Sequence, residues 1–442
     1  MVRPYHKPGR GLETPEKGFR GFPGPISRAA ACQSPDTAYS LPMLSVAEAE
    51  NQVLAAVKVL PVEDCPLAEA HGRVLRQPLV ADRDLPPFDR VTMDGFALRR
   101  EVWEAGVRRF RIAGVQAAGT IALALPEADA CIEVMTGAVL PAGADAVVPV
   151  EDVTRDGGFV QVTAGARVAP GQAIHRRGSD HPALAVVVGP GVGLGGCEIA
   201  VAASCGYAHL TVTLQPQIAV VATGDELVEV SSSVAPHHLR RSNDYALRAA
   251  LIAAGQRRVD RYHLHDLRSE IEHCLWHLIA EYDVVLLAGG VSKGKFDFLP
   301  RVLDELGVRR LFSGVAQRPG GPFWFGLSPR QTPVFALPGN PVSAYVCLHR
   351  YVLPALAKMA GLPPAPPRFA VLAEAVKLPH ALTGFLPVRT TPGPAGENLA
   401  QPAPINTSGD FAGLAGTDGF VELPAGRRDF PAGGGVRFWP WS

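Results

Sequence analysis

Three segments of the chain combine glycine with carboxylates or small polar residues in a way that suits phosphate chemistry. They are Thr223-Gly-Asp-Glu226, Gly289-Gly-Val-Ser-Lys-Gly294 with Asp297 beyond it, and Leu337-Pro-Gly-Asn-Pro-Val-Ser343. Glycine lets backbone N–H groups approach an anion closely, and helix starts favour negative charge. Asp225, Glu226 and Asp297 add carboxylate oxygens. Mg²⁺ prefers oxygen ligands and shares them with phosphates, so the set suits a magnesium-bridged phosphate. Taken singly, each segment also reads as a turn with a helix cap or as a rigid proline turn. The Gly289 segment is not a Walker loop, because no Lys-Ser/Thr pair follows at the required spacing. Asp84-Leu-Pro-Pro-Phe-Asp89, Thr92-Met-Asp-Gly-Phe96 and Val134-Met-Thr-Gly137 are further candidates. Each has an equally plain reading as turn chemistry. Gly189 to Gly196 looks like a phosphate cradle, but it lacks a βαβ context and an acidic partner about 20 residues on. A tight turn before a helix is expected there. The thirteen histidines contain no HExxH and no dense cluster, so no zinc site is expected.

Positioning such loops requires strands. From Gln217 the chain alternates buried strands with helices. Ile218 to Thr223, Asp283 to Leu287 and Pro333 to Leu337 each run into one of the three loops. Ser242 or Asn243 caps a helix carrying Leu247, Ala250 and Leu251. Ser269 opens another, with Ile271, Leu275, Leu278 and Ile279 on one face. This alternation predicts a parallel, doubly wound sheet. In such a sheet, ligands bind outside the carboxyl ends of the strands, where the loops fall. Upstream, Ser45 and Glu48 form a capping box. A second short helix is expected over 67–76. Short apolar runs between Gly/Pro turns predict a small β domain over 84–175, and the same pattern returns after 366. Cys197 to Ser204 reads as a helix and His209 to Leu214 as a strand.

Composition narrows the function classes. A length of 442 residues suggests about two to four domains. Lys+Arg and Asp+Glu are both 42, which argues against a general nucleic-acid binder relying on excess basic charge. With 47% apolar and 19% charged residues, wholesale disorder is excluded. Cys32, Cys65, Cys131, Cys197, Cys205, Cys274 and Cys347 are scattered, with no CxxC pair. Reduced thiols in a cytoplasmic protein are expected. No membrane span and no secretory h-region is legible. Residues 1–42 read as a disordered extension or a start assigned too early.

The motifs gain specificity when taken in order. DLPPFDRVTMDGFA (84–97), EVMTGAVLPAGADAVVPVED (133–152), RRGSD (176–180), TGDEL (223–227), GGVSKGKFDF (289–298), RPGGP (318–322) and LPGNPVSA (337–344) resemble the MoeA / gephyrin E-domain family, the molybdopterin molybdenumtransferases. The resemblance runs from about Met43 to the C-terminus. It implies a MoeA-like, multidomain α/β plus β fold. Its parts would be an N-terminal/linker domain (43–83 with 176–215) and an inserted small β domain (84–175). A molybdopterin-binding α/β domain (216–365) and a C-terminal β-barrel domain (366–442) would follow. It further implies a cytoplasmic homodimer that uses Mg²⁺. Its substrates would be molybdate and adenylylated molybdopterin, with AMP released. Protein partners would be the molybdopterin adenylyltransferase and apo-molybdoenzymes.

Residue by residue, the resemblance assigns Asp94, Thr136, Asp180, Glu226, Asp266 and Asp297 to catalysis. Asp94 and Thr136 would come from the β domain of the second subunit. Gly224, Asp225, Gly289, Gly290, Ser292, Lys293, Arg318, Pro319, Pro322, Pro338, Gly339, Asn340, Ser343 and Ser408 are expected to bind the substrate. Asp225, Glu226 and Asp297 are the expected magnesium ligands.

Four departures stand out. The family's Lys-Pro-Gly-Lys-Pro loop reads Arg318-Pro-Gly-Gly321-Pro here, and an upstream lysine aligns with Gly314. Gly-Glu-Asp reads Gly178-Ser179-Asp180, and the Asp before Ser-Asn is Arg241. A charged hydrogen bond is worth about 1.5–3 kcal/mol, so losing two weakens anion binding a hundredfold or more. Lys293 and Lys295 are the basic residues placed to substitute. The alternatives to the transferase are a non-catalytic molybdopterin-binding carrier and the sister adenylylating activity.

Overall fold

Strands that are apolar at successive positions must be covered on both faces, and the 217–337 region is built that way. In the computed structural model, residues 43–290, 299–405 and 407–442 are described. Val259–Leu264, Ile218–Thr223, Val284–Ala288 and Pro333–Leu337 lie side by side in that order, all parallel. Ile218 and Val220 join one buried cluster with Leu247, Leu251 and Tyr351. Ala219 and Val221 join another with Ile271, Leu275 and Leu278. The helices Asn243–Ala253 and Pro341–Cys347 thus cover one face, and Arg268–Glu281 and Leu299–Glu305 the other. This is the doubly wound arrangement, but the sheet is mixed rather than parallel throughout. Trp324–Leu327 pairs antiparallel with Pro333–Leu337, and Arg309–Ser313 antiparallel with Trp324–Leu327. The link from Leu327 to Pro333 is too short for a crossover helix, so the chain turns straight back.

The described residues divide into two compact units, one of 43–61 with those from 213 to 442 and the other of 62–212. The α/β sheet belongs to the first. So does a closed five-stranded barrel. Its ring runs Thr383–Pro392, Asn398–Pro402, Arg368–Leu372, Gly435–Pro440 and Gly419–Leu423, then back to Thr383–Pro392. Closure leaves these five strands with no open edge along the ring. Ala370, Leu372, Val388, Val421 and Phe438 fill its interior. The short strand Gln317–Arg318 pairs parallel with the barrel at Thr383 and Gly384. That pairing ties the RPGGP segment to the barrel wall. The capping box forms as read, with the Ser45 N–H donating to Glu48 at 2.8 Å and the Glu48 N–H to Ser45 at 3.3 Å. The helix it starts, Val46–Ala56, also supplies Glu50, which pairs with Arg350 at 2.8 Å. Arg350 is 1% exposed and also reaches Glu422 of the barrel at 3.1 Å. A buried guanidinium is tolerable only when paired in this way. It links the first helix, the helix after the α/β sheet and the barrel.

The second unit contains a mixed six-stranded sheet. Its order is Ala146–Pro149, Gly95–Leu98, Ala130–Val134, Arg109–Gln116, Phe159–Val162 and Val153–Asp156. Apolar side chains cover both its faces. Val62–Pro66 pairs with His209–Thr213, and Leu79–Val80 with Val186–Val188, beside the helix Gly196–Ser204. The helix expected over 67–76 is only a single 3-10 turn, Leu67–Glu69. Val74 bridges to Gly193 and Leu75 to Val212. Backbone pairing with those partners overrides the weak helical period.

Candidate functional site

Four strand ends and the barrel region enclose a cleft of about 1250 Å³ in the first unit. Ile218–Thr223 delivers Gly224 and Glu226, and Val284–Ala288 delivers Gly289 and Gly290. Pro333–Leu337 delivers Pro338, Gly339, Asn340 and Ser343. Asp266, just beyond Val259–Leu264, lines the same cleft. Arg318, Pro319 and Pro322 enter from the strand laid against the barrel, and Ser408 from the barrel region itself. Asn340 Nδ2 donates to Ser408 Oγ at 2.7 Å, and the Val342 N–H to the Ser408 carbonyl at 3.1 Å. These bonds clamp the PGNP loop to the barrel. Asn243 Nδ2 donates to the Gly339 carbonyl at 2.7 Å and holds the loop from its other side.

Both signs of charge meet in this cleft. Glu226 is exposed, and its carboxylate has no hydrogen-bond or ion-pair partner among the described residues. Asp266 is half-buried, and its N–H donates to Asp225 Oδ1 at 3.0 Å. Asp225 thus positions its neighbour, and it is not among the lining residues. Arg318 is exposed on the wall, as is Arg240. Among the described residues no group of three or more His, Cys, Asp or Glu forms a metal cluster. Ser292, Lys293, Lys295 and Asp297 lie outside the described residues. The donors present, carboxylate oxygens of Glu226 and Asp266, are of the hard type that fits Mg²⁺ rather than a soft metal.

The remaining expected residues lie in the second unit. Gly95–Leu98 and Ala130–Val134 pair antiparallel with Gly95 opposite Val134. This register brings Asp94, one residue before the first strand, to Thr136, two residues after the second. Asp94 Oδ1 accepts from both the Thr136 N–H and the Thr136 hydroxyl, each at 2.7 Å. Those two bonds, the backbone one foremost, hold the Asp94 carboxyl below the usual carboxylate range. Gly95 cannot carry a side chain, because a Cβ there would sit 2.1 Å from the Val148 carbonyl oxygen. Asp180 Oδ1 lies 2.8 Å from His175 Nε2, and the Asp180 N–H donates to the Leu85 carbonyl at 3.0 Å. Arg177 pairs with Asp84 at 2.6 Å and Arg176 with Asp89 at 2.5 Å. The RRGSD turn is thereby pinned to the DLPPFD loop.

Several cleft residues had not been singled out for binding from sequence. Arg240, Ser242, Asn243, Gly320, Gly321 and His380 line the wall. Arg241 had registered only as a departure. Its ion-pair partners, Glu229 and Asp244, are near in sequence, but no motif or apolar period marks an arginine there as buried. His380 follows no motif.

Three family models match the chain in succession. One described as MoeA N-terminal region (domain I and II) matches residues 44–206, a probable molybdopterin binding domain matches 219–358, and MoeA C-terminal region (domain IV) matches 370–441. A molybdopterin molybdenumtransferase of Synechocystis is 40% identical over 373 residues, covering 84% of this chain and 93% of the relative. One of Bacillus subtilis is 29% identical over 417 residues, covering 90% and 96%. A crystal structure of a molybdopterin biosynthesis moeA protein from Pyrococcus horikoshii superposes with a TM-score of 0.76 at 27% identity, covering 90% of this chain and 100% of that one.

Proposed function

The chain belongs to the MoeA family of molybdenum cofactor biosynthesis, and from that membership we propose that its reaction is the Mg²⁺-dependent insertion of molybdate into adenylylated molybdopterin, with release of AMP. The observation that carries this reading is the first unit's cleft, which Glu226 and Asp266 line together with Arg318 beside the glycine-rich ends of parallel strands. That combination suits an anionic substrate whose phosphates are bridged by a cation. Asp225, Glu226 and Asp297 are assigned as the cation's ligands, and Asp225 also accepts from the Asp266 N–H. Bound magnesium would neutralise pyrophosphate charge and make the scissile phosphorus more electrophilic.

The chain's own residues supply position and charge. The N–H groups of Gly290 and Gly339 are assigned to the phosphate oxygens, with Gly289, whose own N–H donates to the Leu337 carbonyl at 3.2 Å, giving room for the approach, and Arg318 to the excess negative charge. Ser408 and Asn340 hold the loop that contacts the substrate, and Ser343 lies just beyond it. Asp266 is assigned to orient the attacking oxygen. Asp94, Thr136 and Asp180 are assigned to the same reaction from a second copy of the chain, in a homodimer of four-domain subunits. The molybdopterin adenylyltransferase and apo-molybdoenzymes would be upstream and downstream partners in the cytoplasm. No described helix is long and apolar enough to cross a membrane.

The test uses purified protein, adenylylated molybdopterin, Mg²⁺ and molybdate, with AMP release and active cofactor followed together. Molybdate-dependent AMP release that is lost in Asp297→Ala is the expected result. A second reading follows from Gly321, which leaves the RPGGP loop with one cation. On that reading the protein is a carrier that binds the substrate without cleaving it. Tight binding with no AMP release would select it and reject the transferase.

A further inference from the structure

Several buried polar atoms on the walls of this cleft have no partner within the protein. Arg241 Nε, Asn243 Oδ1, Asp244 Oδ1 and Thr223 Oγ1 are all buried and make no hydrogen bond. A buried polar group without a partner is costly, so several on one wall point to a polar ligand that completes them. Arg241 Nε is the one charged donor among them, and the residue is 4% exposed. Its Nη2 donates to Glu229 at 2.9 Å and lies 3.4 Å from Asp244. Asp244 is shared with Arg261 at 3.1 Å. Arg261 lies over the Tyr245 ring at 3.5 Å, and the Tyr245 hydroxyl donates to Glu229 at 2.6 Å. The guanidinium is therefore fixed in orientation, while its Nε–H is left over.

We propose that Arg241 contacts the substrate directly, its Nε–H donating to a phosphate oxygen of the bound phosphoanhydride. This rests on the reading of the cleft as the site of a phosphorylated substrate. An anionic oxygen is the natural acceptor for a leftover guanidinium N–H, because charge-assisted bonds are short and strong. Two acids, Glu229 and Asp244, balance two cations, Arg241 and Arg261. The cluster therefore has no excess charge to act at long range. What Arg241 adds is one directional, desolvated bond. Arg318 differs, because it is exposed and acts through solvent that salt screens.

The two kinds of cation separate in a binding experiment on the full chain. Inorganic pyrophosphate and AMP are titrated calorimetrically at low and high salt. Arg241→Lys keeps the charge that Asp244 and Glu229 need, but it lacks the planar Nε donor. It is expected to weaken pyrophosphate binding about tenfold to a hundredfold at both salt concentrations. Arg318→Gln is expected to lower affinity chiefly at low salt and to flatten its salt dependence. Arg241→Gln, checked by thermal melting, gives the larger loss if it folds, and Arg241→Lys decides the matter if it does not. Arg241→Lys binding within about twofold of the unaltered protein overturns the inference and leaves the transferase reading intact. Failure of the unaltered protein to bind either pyrophosphate or AMP overturns both.

Discussion

At the scale of single residues, the Asp94–Thr136 pair makes the sharpest statement. One carboxylate oxygen accepts two bonds from one residue, so the ionised form is favoured and the carboxyl titrates low. The sign follows from linkage. A carboxyl whose folded value lies below its unfolded value contributes stability above the unfolded value, about 3.9 for Asp. That contribution is lost as pH falls through the depressed folded value. Thr136→Ala removes the hydroxyl donor and leaves the backbone one. Carboxyl NMR titration is expected to move Asp94 upward, toward the ordinary range but not fully to it. An unchanged titration would mean that the hydroxyl does not hold the carboxylate. Asp94→Asn is expected to flatten the dependence of the thermal midpoint on pH below about 4. In the assay it is also expected to reduce AMP release at neutral pH, because Asp94 is assigned to the reaction.

Elements set where such residues sit. The turn after Val284–Ala288 shows the constraint most clearly. Gly290 has φ +68°, and a Cβ there would stand 2.3 Å from Leu299 Cδ1. The left-handed conformation alone costs a side chain about 1–2 kcal/mol, before any displacement of Leu299. Gly290→Ala is expected to destabilise the protein by at least that much in denaturant titration. It is also expected to weaken substrate binding, because the turn must move. A variant as stable as the unaltered chain would show that the turn relaxes freely. The same scale explains where pattern reading succeeded and where it did not. The capping box at Ser45 and the strand at Ile218–Thr223 were legible, since their causes lie within a few residues. The 67–76 helix and the all-parallel sheet were not. Both were overruled by partners distant in sequence or by the short Leu327–Pro333 link.

At the scale of the whole molecule, the proposed reaction draws on acids in both units. If Asp94 and Glu226 serve one site from two copies of the chain, variants that each lack one acid should complement. Asp94→Ala and Glu226→Ala, each expected to be inactive alone, should regain part of the AMP release when mixed and allowed to exchange subunits. In a mixed dimer, one of the two symmetric sites keeps both acids. A mixture as inactive as its components would reject the shared site.

The sequence by itself carried the order of its motifs, the α/β alternation of 217–337 and the loops that line the cleft. These are local: glycine, proline, caps and apolar period act over a few residues. The tertiary structure decided what depends on distant neighbours. It set the antiparallel strands of the mixed sheet and the closure of the barrel. It laid Arg318 against Thr383–Pro392 and clamped Asn340 to Ser408. It also turned Arg241 from a departure at a loop end into a buried guanidinium whose Nε–H has no partner. Burial and hydrogen-bond satisfaction are properties of the packed whole, and no window of sequence contains them.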